Sequence, residues 1–209
     1  MTIVSNWYTM DGKEGVDLNN IQSSVTITTD PSVPGPRAKL GDRVQGNNGS
    51  EWVFVVAGVT VTAFNLVAIT PGYSATAATS AIIVSNAYSF GVAEFQPFQG
   101  ASVGAASGGV ANTGDYFWAL LKANSGIRIN ATGTMRPGAD LYLSAAGTAG
   151  FVAGSSSVQA ISGGGRLNGL MFLTSGTIEA ASNIPGNVNA EFGMFGYIMP
   201  AAMINAITV

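Results

Sequence analysis

The chain contains neither cysteine nor histidine. Without cysteine it forms no disulfide and no thiolate metal site. Without histidine it lacks the commonest general base, the commonest zinc ligand and the usual switch near neutral pH, so a histidine-based catalytic triad is excluded. We therefore predict a protein that is not an enzyme, with no catalytic residue, no cofactor and no metal centre.

Charge is also scarce. Lys, Arg, Asp and Glu make up 9% of the 209 residues, whereas an ordinary soluble domain has about 25%. A monomer normally keeps its surface soluble with interspersed charges, so this composition favours a surface that partners partly cover. The formal net charge of −3 provides no basic field for a phosphate backbone. We predict no nucleic-acid partner.

One apolar stretch, residues 52–69 (WVFVVAGVTVTAFNLVAI), has the length of a membrane helix. Its β-branched residues, the central Gly58 and Asn65 near its end are instead typical of strands. No Lys or Arg flanks it closely, so the charge signal of a membrane span is missing. We predict apolar strands joined at Ala57-Gly58 and no membrane partner.

Short apolar segments alternate with turns rich in Gly, Pro and Asn along most of the chain. Turn signals that recur about every ten residues are typical of an all-β sandwich or barrel. We predict an all-β fold, an antiparallel sandwich or barrel of short strands, with an extended N-terminal arm or small subdomain at 1–48 and a β-rich main domain at 49–209. The main strand candidates are 23–29, 51–57, 59–62, 66–70, 91–98, 116–122, 126–131, 140–145, 167–173 and 192–199, and small-residue loops are expected at 100–114 and 146–157.

The N-terminal segment carries a proline cluster followed by basic residues. Prolines fix the backbone angle φ and remove donors, so this piece is expected to be extended. The basic residues have two interpretations: solvated loop charges, or an anchor on an acidic partner surface. The prolines are Pro31, Pro34 and Pro36, and the basic residues are Arg37, Lys39 and Arg43.

The most aromatic strand candidate contains Tyr116, Phe117 and Trp118. Alternate residues of a strand face opposite sides, so Tyr116 and Trp118 share one face. We expect one face to join the core and the other to contact a subunit; a carbohydrate platform is the alternative.

The carboxylates are scattered along the chain. Glycoside hydrolysis needs two carboxyl groups roughly 5–10 Å apart, and Glu94 with Asp115 is one pair that folding could bring together. Exposed charges at turns and strand ends are the simpler interpretation.

Two stretches resemble the cement (decoration) proteins of tailed-bacteriophage capsids, in which a glycine-terminated strand with an aromatic residue precedes a turn and a strand of the Leu-Val-Ala type. EWVFVVAG at 51–58 with NLVAI at 65–69 resembles one such unit. YFW at 116–118, GIRINA at 126–131 and GADLYLSAAG at 138–147 resemble a second. The resemblance covers roughly residues 49–173, and Ala63-Phe64-Asn65 departs from the Gly-Asp turn common in the family.

The resemblance implies a structural virion protein on the outer capsid surface that binds the major capsid protein and bridges capsid subunits, often as a homotrimer. The alternative is a virion adhesin or head fibre that binds host glycans through exposed aromatic residues. The predicted partner-interface residues are Pro31, Pro34, Pro36, Arg37, Lys39, Arg43, Tyr116 and Trp118.

Overall fold

The structure is a computed structural model. It describes residues 7–10, 16–30, 32, 35–79, 89–95, 109–124, 126–132, 137–138, 140–143, 149–150, 152–154, 166–173 and 192–200. These ranges contain one short helix, a 3₁₀ turn at Asn47–Gly49 and fourteen strands, so the all-β prediction is confirmed. The elements are α1 Ser24–Thr29, β1 Arg43–Gly46, β2 Ser50–Ala57, β3 Val61–Thr62, β4 Leu66–Ile69, β5 Ser74–Ala77, β6 Ser89–Val92, β7 Val110–Ala111, β8 Tyr116–Lys122, β9 Gly126–Ile127, β10 Ala131–Thr132, β11 Leu141–Leu143, β12 Val152–Gly154, β13 Arg166–Phe172 and β14 Phe192–Pro200.

Five strands close into a small barrel in the order β2-β5-β4-β6-β8, and β8 returns to pair with β2. The closing ladder is antiparallel and sets Phe54 opposite Trp118. The β2–β5 ladder is short and parallel, whereas β4 pairs antiparallel with both β5 and β6. β1 extends the sheet beside β2. The apolar run 52–69 thus supplies β3, β4 and most of β2.

A second sheet has the order β10-β12-β11-β13-β14-β9. Its longest ladder joins β13 and β14 antiparallel, with a register shift between Asn168 and Leu170. β10 and β12 pair in parallel, so the sheet is mixed. Across the described ranges, no helix has the length and apolarity that a bilayer span requires.

The barrel strands send alternate side chains into two separate hydrophobic clusters. The larger cluster holds Trp52, Phe54 and Trp118 together with side chains of the second sheet such as Phe172. The smaller cluster holds the intervening barrel residues, including Phe117. Because the second sheet lies outside the ring of strands, the larger cluster covers the outer face of the barrel and the smaller one fills its interior.

The described part of the first 48 residues packs on this framework. Trp7, Leu18 and Val44 belong to the larger cluster. The Trp7 ring lies edge-on to Trp52, with ring centroids 5.2 Å apart. The boundary at residue 48 stays a prediction.

The strand predicted at 23–29 is wrong, because Ser24–Thr29 forms helix α1. Its β-branched residues favour a strand on propensity alone. Distant contacts decide otherwise: the backbone N–H and the hydroxyl of Ser24 both donate to Oδ1 of Asp115, at 2.8 and 3.1 Å. A carboxylate at this position satisfies donors that the first helical turn leaves unpaired.

Further expectations differ in detail. The predicted loop 100–114 contains strand β7, which pairs with β3. The predicted loop 146–157 contains strand β12, which is held between β10 and β11. The predicted strand 126–131 divides into β9 and β10, because the backbone N–H groups of Arg128 and Asn130 donate to Glu94 and to the Phe64 carbonyl, next to the barrel strands, instead of to a strand of the second sheet.

Candidate functional site

The loop before β1 presents the basic residues predicted to form an anchor. Pro36, Arg37 and Lys39 are exposed, whereas Pro31 and Pro34 lie outside the described residues. The Arg37 backbone N–H donates to Oε1 of Gln22 at 3.0 Å. The Lys39 backbone N–H donates to Oδ2 of Asp42, also at 3.0 Å. The loop backbone is therefore tied down while its side chains face outward, and their interface role stays a prediction.

Arg43 is engaged within the chain. Its Nη1 lies 2.6 Å from Oε1 of Glu51, and its side chain is 54% exposed. The Tyr197 hydroxyl donates to the second Glu51 oxygen, and this hydrogen bond raises the pKa of Tyr197. Lys122 Nζ lies 6.0 Å from the Tyr197 ring centroid. The cluster links β14 of the second sheet to β2. Arg43 thus has an ion-pair partner within the chain, and its predicted interface role stays a prediction.

The prediction that Trp118 contacts a partner is corrected by its position. The side chain is 2% exposed and packs in the larger cluster, with its ring 5.0 Å from Phe54. Phe117 on the opposite face is also buried. Tyr116 is half-buried, stacks on Phe54 and exchanges two backbone hydrogen bonds with Gln22. Both faces of β8 are covered, because the barrel interior lies on one side and the second sheet on the other.

Glu94 and Asp115 are both buried, so the expectation of exposed charges is wrong for this pair. They contact different groups: Asp115 accepts from Ser24 and from the Asn112 backbone N–H. Glu94 follows β6 and accepts the Arg128 backbone N–H at 2.7 Å. Burial raises the pKa of Glu94 to about 7, against the opposing Arg128 hydrogen bond and charge.

Buried hydrogen bonds beside Glu94 tie the second sheet to the barrel. Asn130 Nδ2 donates to the Ala63 carbonyl at 2.9 Å and to Oδ1 of Asn65 at 2.7 Å. The Asn130 backbone N–H donates to the Phe64 carbonyl at 2.9 Å. We call Glu94, Arg128, Asn65 and Asn130 the polar seam. It can bind and release a proton where the two sheets join.

The outward side of β13 and β14 carries three exposed apolar side chains, next to Arg166 and Asn168. Met171, Tyr197 and Met199 are each 42% exposed. Their neighbours Phe172 and Ile198 point into the larger cluster. Alternation along the two strands therefore places these three side chains on one surface, which we call the β13–β14 outer face.

No family model, curated protein or solved structure matches this chain. Among the described residues, no three acidic side chains converge on a point that could hold a metal ion.

Several of these residues were not singled out from the sequence. For the β13–β14 outer face a signal existed, because Met171 alternates with Phe172 and Met199 with Ile198 in strands that were predicted. In the polar seam, Glu94 was considered only as a possible partner of Asp115. No signal indicated its actual contacts, because the partners of Glu94 and Asn130 lie 34 and 65–67 residues away.

Proposed function

We propose that this chain is a non-enzymatic structural protein of a tailed-phage virion, which binds the outer surface of the capsid and stabilises it by bridging capsid subunits. The resemblance of residues 49–173 to cement proteins supports this proposal, as does the all-β fold. The partners are the major capsid protein and further copies of this chain, as a homotrimer.

The observation that carries the proposal is a group of exposed apolar side chains on a chain with few charges. Met171, Tyr197 and Met199 stand on the β13–β14 outer face, and charged residues make up 9% of the chain. The cores of protein interfaces are depleted of charge and enriched in Met and aromatic residues. Contact between such side chains and water is unfavourable. Burial against a capsid subunit gains about 25 cal/mol of free energy for each Å² of apolar surface removed from water.

Bridging is the physical basis of stabilisation. A protein that contacts two neighbouring capsid subunits adds buried surface that must be exposed again before the subunits separate. Stable interfaces bury about 1,200–2,000 Å² in total, and permanent ones bury more. The exposed Arg37 and Lys39 on the loop before β1 are available for additional polar contacts with a capsid subunit.

Electron microscopy of virion capsids with and without the protein tests the proposal. We expect ordered density on the outer surface at subunit junctions and a higher temperature of capsid disruption. Capsids that neither bind the protein nor gain heat resistance would refute it.

The double substitution of Met171→Glu and Met199→Glu places charge on the β13–β14 outer face. We expect at least a tenfold loss of capsid affinity in sedimentation binding, with the unfolding temperature of the isolated protein almost unchanged because both side chains are exposed. Val59→Glu is the matched control. Val59 is similarly exposed and lies just beyond the C-terminal end of β2, whereas Glu51, the β2 residue that contacts Tyr197, lies near the N-terminal end. Equal binding by the double variant and the control would argue against this face.

A further inference from the structure

One end of the barrel is open and forms a cavity of about 340 Å³. Its floor is made by Val53, Ile69 and Leu121, one from each of β2, β4 and β8. All three belong to the cluster that fills the barrel interior. The cavity is thus the mouth of the barrel, a common location for small-ligand sites, and its size lies within the usual range of about 300–1,000 Å³.

The rim of this cavity is polar and close to electrically neutral. Arg43 lines it, and its charge is balanced by Glu51 at 2.6 Å. Thr70 and Ser89 add hydroxyl groups, each of which can donate one hydrogen bond and accept two. The Thr70 oxygen also accepts the Ser74 backbone N–H at 3.1 Å, which fixes its position.

Tyr73 lines the cavity and has an unusual backbone conformation. Its φ is +60°, in the left-handed region that Gly and Asn occupy at low cost but large side chains avoid. It ends the turn after β4, where its N–H donates to the Thr70 carbonyl at 2.8 Å. Backbone strain of this kind concentrates at functional sites, where the side chain itself is required.

The Tyr73 ring is held in place by a contact with Gly41. A Cβ built on Gly41 would lie 2.3 Å from Cε2 of Tyr73, so the ring packs directly against the Gly41 backbone. The residue nevertheless remains 37% exposed and lines the cavity. The result is a fixed aromatic surface beside hydroxyl groups and an aliphatic floor.

We propose that the mouth of the barrel binds a single pyranose ring of a neutral glycan. The C–H faces of a pyranose pack on an aromatic ring and on aliphatic side chains, while its hydroxyl groups hydrogen-bond to Ser, Thr and Tyr hydroxyls. The balanced charge of the rim favours a neutral sugar over an anionic one, because a charged ligand would compete with the Arg43–Glu51 pair. This site goes beyond capsid binding and lies apart from Trp118, which is buried.

The test combines an array of immobilised neutral and anionic oligosaccharides with saturation-transfer NMR using free monosaccharides. We expect retention on neutral glycans that is insensitive to salt, and transfer from protein methyl protons to the sugar. Tyr73→Asn should lower the affinity at least tenfold while the unfolding temperature stays the same or rises, because Asn tolerates the left-handed conformation. Tyr8→Asn, at an exposed tyrosine outside the cavity, is the matched control and should bind as the parent protein does.

Ser89→Phe is the second variant, in case Tyr73→Asn disturbs the turn. Ser89 is an exposed rim residue, so a larger side chain there obstructs the cavity without entering the core. It should also abolish sugar binding. The proposal is overturned if the parent protein binds no neutral sugar, if it binds only anionic glycans at low salt, or if both cavity variants bind as well as Tyr8→Asn.

Discussion

Gly138 and Gly150 have nearly the same backbone conformation in contrasting surroundings. Their φ values are +75° and +82°, both in the left-handed region. A Cβ added at Gly138 would meet nothing within 4 Å, whereas one at Gly150 would lie 2.6 Å from Cγ of Asn65. The pair therefore separates the cost of backbone strain from the cost of displacing a neighbour.

The first prediction compares Gly138→Ala with Gly150→Ala by denaturant unfolding. Gly138→Ala should lower the free energy of unfolding by about 1 kcal/mol, the cost of a left-handed conformation for a residue with a Cβ. Gly150→Ala should lower it by about 3 kcal/mol, because Asn65 must also move and break its buried hydrogen bond with Asn130. Equal losses would mean that Asn65 adapts without cost.

Among the contacts between elements, the polar seam contains the group from which we expect a pH-dependent stability of the folded chain. Glu94 has a pKa raised by burial to about 7, while its ordinary value is 4.5. Between these values the unfolded chain has released the proton and the folded chain still holds it. The folded state therefore binds more protons in this window, and stability falls as the pH rises through it.

The second prediction follows from that sign. From about pH 4 to about pH 8, the parent protein should lose about 3 kcal/mol more of its free energy of unfolding than Glu94→Gln does. Gln keeps an oxygen that accepts the Arg128 N–H but has no proton to lose. Asp140→Asn, which removes an exposed carboxylate, is the control for the loss of one acidic group. Identical pH profiles for Glu94→Gln and the parent protein would contradict the assignment.

Sequence patterns predicted the elements that rely on their own residues. β2, β8, β13 and β14 are long apolar or alternating runs, and all were expected close to their observed bounds. The predictions fail where groups distant in sequence determine the local structure. Contacts of Ser24 with Asp115 favour a helix at 24–29, and contacts of Arg128 and Asn130 with groups beside the barrel interrupt the strand at 126–131. Local propensity contains no information about such partners.

The candidate sites were less predictable than the fold, for a related reason. Alternation correctly separated Phe117 from Tyr116 and Trp118, but it cannot state that both sides of a strand are covered. Burial of Trp118 requires the second sheet, which is built from residues beyond 125. The unusual φ of Tyr73 is likewise set by the β4–β5 turn and the ring contact with Gly41, and residue type alone does not indicate it.

For the whole molecule, the packing of Trp7 allows a test of whether the N-terminal segment folds together with the barrel or as a separate arm. Trp7 is 2% exposed and packs on Trp52 in the larger cluster. Trp7→Ala should therefore lower the stability of the entire protein by about 3–5 kcal/mol, within a single unfolding transition.

Tyr8→Ala is the neighbouring control, because Tyr8 is 58% exposed and its loss should change stability by less than about 0.5 kcal/mol. Calorimetry and tryptophan fluorescence measure both variants. A main transition that Trp7→Ala leaves in place would indicate an arm that folds independently of the barrel.

Closure of the barrel also sets the order of events on the ribosome. β2 ends at Ala57, and β8, the strand that completes the ring beside it, begins only at Tyr116. At synthesis rates of about 5–20 residues per second, roughly 3–12 s separate the emergence of the two strands. During that interval the apolar segment from β2 to β4 lacks its final partner. A translational pause after β2 has emerged and before β8 has emerged should therefore increase aggregation of the nascent chain, whereas an equal pause after β8 has emerged should not.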